Sequence, residues 1–287
     1  MRVRRAASLA AVFGFSLVEL AIVLLIVGIL MLSLMSTLSS QVDQRNFDDT
    51  RRRLEQAREL VLSFAIVNGR LPCPARSTSA GVEVRVADND ATVANRGKCQ
   101  DAGAVVDYYG GAPGGAVGGL LPAATIGYQQ VDNEGFAVDA WQNRIRYVVT
   151  NLITSCSGTS TTPHFTNKIN LKQNGITCQP SDLIVCKSGT GITATACGGA
   201  ANQIMTQDLL AVIIYSTGKN FASAQDAATA TAAGRTDEAA NLNGDRVFVF
   251  HTPTSSDVAS GGEFDDQFMW ITAGELYGRL IAAGVLP

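Results

Sequence analysis

The sequence predicts an α+β protein: one long N-terminal helix followed by a β-rich globular head. Three observations carry this reading. No charged residue occurs over the 23 positions from Leu20 to Val42. Phe47, Thr50, Leu54, Ala57, Val61 and Phe64 then recur at spacings of three and four, which places them on one helical stripe. From residue 71 onward, short β-branched or aromatic runs alternate with loops that carry Gly or Asn. The 287 residues are 46% hydrophobic and 16% charged, which excludes wholesale disorder and leaves enough chain to bury a core.

The uncharged run is ~35 Å long as a helix, enough to cross a hydrocarbon layer. Arg2, Arg4 and Arg5 precede it without any acid, so its N-terminal end should stay in the cytoplasm. Arg51, Arg52 and Arg53 follow it, but they are mixed with Asp48, Asp49 and Glu55. A cleaved secretory signal ending near Thr37-Leu38-Ser39 and a plain signal anchor are the two bland alternatives. The run is longer than a secretory apolar region, and Glu19 sits at its entrance, where a carboxylate is costly and asks for a partner.

Gly14, then Phe15, then Glu19, then the long aliphatic run resembles the class III leader of type IV pilins and type II secretion pseudopilins. The resemblance implies that a prepilin peptidase cuts between Gly14 and Phe15 and that Phe15 is then N-methylated. It also implies that the apolar segment is kept. Cleavage would place a new ammonium at Phe15, and Glu19 would pair with that of a neighbouring subunit. Either charge buried alone would be strongly disfavoured, so the pair would set the register of a filament. The implied partners are other pilin-like subunits in a homo- or hetero-polymer, the peptidase, an assembly ATPase and an inner-membrane platform protein. The implied location is the bacterial inner membrane, single-pass with a periplasmic head, and then a pilus or pseudopilus. The segments are a leader (1–14), a transmembrane or filament-core half-helix (15–42), an amphipathic half-helix (43–70) and a head (71–287).

In the second half-helix, Arg51, Arg52, Glu55, Arg58 and Glu59 fall opposite the apolar stripe and read as a solvated face with helical-neighbour ion pairs. Asn68-Gly69 followed by Pro72 ends the helix. In the head, the expected strands are Val82–Val86, Ala104–Tyr109, Ile145–Thr150, Leu183–Lys187, Leu209–Ser216 and Arg246–His251. A closing helix is expected over Ala273–Ala283, with Leu276, Leu280 and Ile281 facing inward. Residues 110–119 hold six glycines but lack the Lys-Ser/Thr ending of a phosphate loop. The pilin resemblance implies that the head is a small antiparallel sheet lying on the long helix. Three stretches are similar to the pseudopilin pattern. Asp139-Ala140-Trp141-Gln142-Asn143 enters a strand, with Ala140 and Gln142 where that pattern has Pro and Gly. Tyr215-Ser216-Thr217-Gly218-Lys219-Asn220 is a strand and turn, and Phe264–Trp270 is an acidic approach to a last, Trp-bearing strand. The head is long for such a protein, and residues 151–205 are the expected insertion.

Cys73, Cys99, Cys156, Cys178, Cys186 and Cys197 all follow the apolar run, so the leader reading puts them in an oxidising compartment. Loop length and order favour Cys73–Cys99, Cys156–Cys178 and Cys186–Cys197 among the many pairings open to six cysteines. Zinc is disfavoured because no Cys-x2-Cys pair occurs. Two groups of oxygen ligands could hold calcium: Asp237, Glu238, Asn241, Asn243 and Asp245, and Glu263, Asp265 and Asp266. The pseudopilin resemblance carries over only to Asp265 and Asp266. Solvated or capping carboxylates are the alternative. Asp265 and Asp266 are adjacent, so on a strand they would face opposite ways and form no catalytic dyad. The sequence has two histidines, His164 and His251, which read as surface or strand residues. No catalytic constellation is found, and the chain reads as a non-enzyme. The net charge of −3, from 22 basic and 25 acidic residues, argues against a nucleic-acid partner. The leading function is a structural filament subunit. The alternative is a low-abundance minor pilin whose head binds a surface at the filament tip.

Overall fold

The computed structural model describes residues 16–92, 95–101, 104–105, 119–150, 163–178, 182–223, 225–255 and 261–286; side chains of residues 31–40 and 100–105 lie outside this description. The expected processing residues Gly14 and Phe15 fall outside it as well. The chain divides into two compact units, one ending at Phe47 and one beginning at Asp48. A single helix, α1 (Leu17–Asn68), passes through both.

In the first unit, α1 begins with a capping box. The Ser16 N–H donates to Glu19 Oε2 at 2.9 Å and the Glu19 N–H donates to Ser16 Oγ at 3.2 Å. Two otherwise orphaned backbone donors are thereby satisfied by a Ser-x-x-Glu spacing. The side chains from Leu17 to Leu30 are exposed. Among the described residues, no helix is long and apolar enough to cross a membrane. The expected span includes residues 31–40, whose side chains are not described.

In the second unit, Thr50, Leu54, Ala57, Val61 and Ala65 of α1 are wholly buried, as the stripe requires. The helix stops at Gly69, whose φ of +67° is the left-handed conformation glycine adopts freely, and its N–H closes on the Ala65 carbonyl at 2.8 Å. The opposite face is only partly a solvated one. Arg51 and Glu55 do form an exposed pair. Arg58, however, donates to the Trp270 carbonyl at 3.0 Å and pairs with Glu275. Arg53, beyond that set, donates to the Val138 and Asp139 carbonyls at 3.0 and 2.8 Å. Long arginines at the margin of the stripe reach the head that the stripe docks.

The stripe packs on an antiparallel sheet of three strands, β3 (Arg146–Val149), β6 (Leu210–Ser216) and β8 (Gln267–Thr272), with β6 in the centre. Two shorter strands, β1 (Gln100–Asp101) and β2 (Ala104–Val105), form a separate antiparallel pair. Tyr147, Val149, Val212, Ile214 and Ile271 share a core with Leu54, Ala57 and Val61 of α1. The closing helix α6 (Ala273–Ala282), capped by Thr272 Oγ1 on the Glu275 N–H, adds Leu276 and Leu280 to it. Ala273, Leu276, Tyr277 and Leu280 fill the inward face of α6, so Ile281 falls at the margin and is 42% exposed, contrary to expectation.

The other face of the sheet, with Val148, Ile213, Tyr215 and Phe268, packs on a second sheet. This sheet has the order β5 (Gln203–Met205), β4 (Ile184–Cys186), β7 (Val247–Val249). β4 pairs antiparallel with β5 but parallel with β7, which departs from a purely antiparallel head. With both faces covered, β6 is buried along its whole length, which accounts for its run Leu-Ala-Val-Ile-Ile-Tyr-Ser. The supposed insertion therefore builds two strands of a layer: of residues 151–205, 151–162 and 179–181 are outside the description, and the rest supply β4, β5 and a short helix, α3 (Lys168–Asn174).

Four expected strands are present near their expected bounds, and two differ. Only Ala104–Val105 of Ala104–Tyr109 is described. Val82–Val86 forms single bridges, Glu83 to Ala75 and Arg85 to Cys99, because its two sides face different segments. Pro72 and Pro74 on the first of these segments lack the N–H a ladder needs. Three further short helices went unforeseen: α2 (Ala123–Ile126), α4 (Ala227–Ala232) and α5 (Thr236–Leu242).

Candidate functional site

The three stretches singled out in the head meet at one end of the β3-β6-β8 sheet, where β3 begins, β6 ends and β8 begins. Asp139 organises the first. Its Oδ1 accepts the Trp141 and Asn143 N–H groups at 2.9 and 2.8 Å, and its Oδ2 accepts the Ser216 hydroxyl at 2.6 Å. Burial raises the Asp139 pKa, and these hydrogen bonds oppose the rise. The turn keeps its shape with Gln142 at φ +70°, at the position where the sequence lacks the glycine of the pattern it resembles.

Asn143 Nδ2 then donates to the Gly218 carbonyl. Gly218 has φ +65°, and a Cβ there would lie 1.8 Å from Asp265 Oδ1, so the turn after β6 admits only glycine. Asp265 Oδ2 accepts the N–H groups of Lys219 and Asn220 at 3.0 and 3.2 Å. Glu238, from α5, accepts Asn220 Nδ2 at 2.8 Å and the Asp265 N–H at 2.9 Å on Oε1. Asp266 Oδ2 accepts Asn241 Nδ2 at 2.8 Å. The carboxylates of Glu238, Asp265 and Asp266 thus converge, with oxygens within 4.8 Å of one another, and all three are buried. The two sequence clusters contribute unequally: Asp265 and Asp266 from one, Glu238 from the other. Burial, then the neighbouring Glu238, pushes Asp265 up to about 7. The same causes hold Asp266 well above the usual carboxylate range, and burial raises Glu238.

Two arginines attend this centre. Arg235 Nη1 lies 3.5 Å from Glu238 Oε2 and also donates to the Asn220 carbonyl at 3.1 Å. Arg146, 4% exposed, sits over the Phe221 ring at 5.3 Å, and its Nε and Nη1 lack hydrogen-bond partners among the described residues. Sequence reasoning missed Arg146 and the pairing of Glu238 with Asp265. The available signal was an arginine inside the Ile-Arg-Tyr-Val-Val run, since a charge on a strand covered on both faces must face a buried countercharge.

The remaining candidates lie elsewhere. Glu19 is exposed and engaged by Ser16. Cys73–Cys99 and Cys186–Cys197 are disulfides, as expected. Cys178 is disulfide-bonded, and its expected partner Cys156 lies outside the described residues. Asp237 turns away from the acidic centre, toward the Gly189 N–H at 2.5 Å and His251 Nε2 at 3.1 Å. Asn243 and Asp245 close a local turn on each other and on the Val247 N–H. His164 is not a surface residue. It is buried, with Nε2 2.8 Å from the Tyr277 hydroxyl, which in turn donates to the Cys178 carbonyl. The imidazole is therefore the neutral Nε2–H tautomer, and burial lowers its pKa to about 4.

Calcium takes about six to eight oxygens. Asp265 Oδ2, Asp266 Oδ2 and Glu238 Oε1 each accept an N–H donor, while Asp265 Oδ1 is buried without a hydrogen-bond partner among the described residues. The three carboxylates are the described groups that a cation would meet here.

Comparison of the chain with family models, with curated proteins and with solved structures gives no match.

Proposed function

We propose that the chain is a structural subunit of a type IV pilus or type II secretion pseudopilus, assembled through its N-terminal helix. The observation that carries this reading is the order Gly14-Phe15, Glu19, then the 23 uncharged positions from Leu20 to Val42. Two features of the fold support it. The helix that starts with this pattern runs unbroken from Leu17 to Asn68. Its first-unit side chains, Leu17 to Leu30, are exposed in the single chain and suit a surface covered by lipid before assembly and by other stems afterwards. On this reading a prepilin peptidase cuts after Gly14 and Phe15 is N-methylated. The segment 15–42 then waits in the inner membrane with the head in the periplasm. An assembly ATPase and a platform protein draw it into the polymer, where Glu19 meets the Phe15 ammonium of a neighbour. The chemistry is assembly and not catalysis.

Intact-mass and N-terminal mass spectrometry of the protein from its own host tests this. A chain beginning with methylated Phe15 is expected. A chain beginning near Ser40, or retaining Met1 where leader processing is active, would overturn it. The β5-β4-β7 layer favours a second reading, a minor subunit whose enlarged head binds at the filament tip. Abundance separates the two: a main subunit dominates sheared filaments, and a tip subunit is scarce.

A further inference from the structure

The second unit carries two exposed surfaces of complementary character at the two ends of its part of α1. At the far end, the last turn of α1, the helix α3, the 3-10 turn Gly175–Thr177 and the closing helix α6 meet. The Leu71 N–H donates to the Phe165 carbonyl at 2.8 Å, the Phe165 and Tyr277 rings lie 5.9 Å apart, and the Tyr277 hydroxyl donates to the Cys178 carbonyl. Around this junction four aliphatic side chains stay in solvent: Val67 (80% exposed), Ile169 (47%), Ile176 (57%) and Ile281 (42%). Single exposed aliphatic residues are ordinary, but several on converging elements mark a contact surface. Lys168 and Lys172, exposed on α3, border it, and residues 163–178 contain no acid. Of the neighbouring acids, Glu59 pairs with Arg279 at 3.5 Å and Asp88 with Arg85 at 2.5 Å, so the two lysines leave this surface positive.

At the other end, the segment 128–144 is fixed to α1 where the second unit begins. The Ala140 N–H donates to Thr50 Oγ1 at 3.1 Å, and Arg53 holds the Val138 and Asp139 carbonyls. The tip of this segment is Val131-Asp132-Asn133-Glu134. Asp132 Oδ1 accepts the N–H groups of Glu134 and Phe136, each at 2.9 Å, so the turn is already formed. Arg144 donates to Asp132 at 2.8 Å and to Glu134 at 2.6 Å. One guanidinium thus answers two carboxylates, which leaves the tip negative. The Glu134 side chain is 67% exposed and Val131 is 41% exposed. From Thr50 to Val67 the two surfaces are about 25 Å apart along α1.

We propose that these surfaces are the two halves of one interface: the Val131–Glu134 tip of one head docks on the Val67, Ile169 and Ile176 surface of the next copy, with Glu134 facing Lys172. The inference rests on the filament reading and adds to it which parts of neighbouring heads touch. An apolar side chain bordered by a carboxylate meets apolar side chains bordered by lysines, so the contact is matched in both hydrophobicity and charge. The halves differ and lie at opposite ends of the same stretch of helix, so the contact is heterologous. It repeats from copy to copy as an open chain and does not close into a two-fold dimer. Asp132 orders the tip in advance, so docking costs little chain entropy.

The test uses the full chain produced in its own host. Val131→Cys combined with Ile176→Cys should give a ladder of cross-linked multimers from sheared filaments under mild oxidation, and neither single variant should. Glu134→Lys and Lys172→Glu should each lower filament yield on the order of tenfold, and the two together should restore it. Wild-type filaments with no ladder from the double-cysteine variant would overturn the inference and leave the filament reading standing. Cross-links from Ile176→Cys to a different protein would also overturn it, because the occupant would not be a second copy. A wild type that makes no filament removes the filament reading and this inference with it. If either charge-reversed chain fails to fold, the ladder decides.

Discussion

Gln142 shows how a single residue can keep a turn at a cost. Its backbone is left-handed and its side chain is exposed, so nothing visible compensates the strain of a Cβ at φ +70°. Gln142→Gly should raise unfolding stability by roughly 1 kcal/mol in a denaturant melt, offset in part by glycine's greater unfolded entropy. Asn241 is the opposite case. Its carboxamide accepts the Val249 N–H at 2.8 Å and donates to the Val249 carbonyl at 3.0 Å and to Asp266, so one side chain closes the open edge of β7. Asn241→Leu keeps the volume but strands these buried partners, and should cost more than about 2 kcal/mol in the same melt. Glu19 has two separable roles, the helix cap seen here and the proposed charge pair. Glu19→Gln retains the side-chain acceptor of a capping box and removes the charge. It should leave processing intact and abolish filament yield in sheared fractions. Normal filaments from Glu19→Gln would reduce Glu19 to a cap.

At the scale of elements, α1 is one helix with two kinds of surface. Leu54 is fully buried among Tyr147, Ile214 and Leu276, whereas Leu24 is 62% exposed. Leu54→Ala should therefore cost about 2–5 kcal/mol of head stability, and Leu24→Ala should leave the head's melt unchanged. The helix stop, the four matching strands and α6 were legible because each couples a clear period to a turn residue. The short helices were not. α2 has four residues and α4 has six Ala or Thr positions, too few turns for a 3.6-residue period to register. The parallel pairing of β4 with β7 was equally hidden, since the partner of a short apolar run is fixed by the layer it covers and not by its own pattern.

For the whole molecule, stability should decline on the acid side of the pH scale. On the acid side, His164 is folded in its neutral form. Its contribution is complete above the unfolded value of 6.5 and is lost as pH falls toward about 4. His164→Gln should soften that limb in a pH series of thermal melts. The convergence of residues 139–143, 215–220 and 264–270 at one sheet end was foreshadowed by three separate motif-like stretches. What joins them, a buried Arg146 and an acid from α5, was not. The contacts of Glu238 to Asn220 and Asp265 span 18 and 27 residues of sequence, and the register of β6 between β3 and β8 brings these stretches together.

The parallel pairing of Ile184–Cys186 with Val247–Val249 also bears on how the chain reaches its native state. Between these strands the chain must first lay down β6, to which β8 then pairs. The β3-β6-β8 layer can nucleate against the end of α1, whereas the outer layer has to wait for a template. Refolding with the Cys186–Cys197 bond intact should thus show a slow final phase reporting on Phe248 and Tyr215. That phase should be missing from any probe placed beside Leu54.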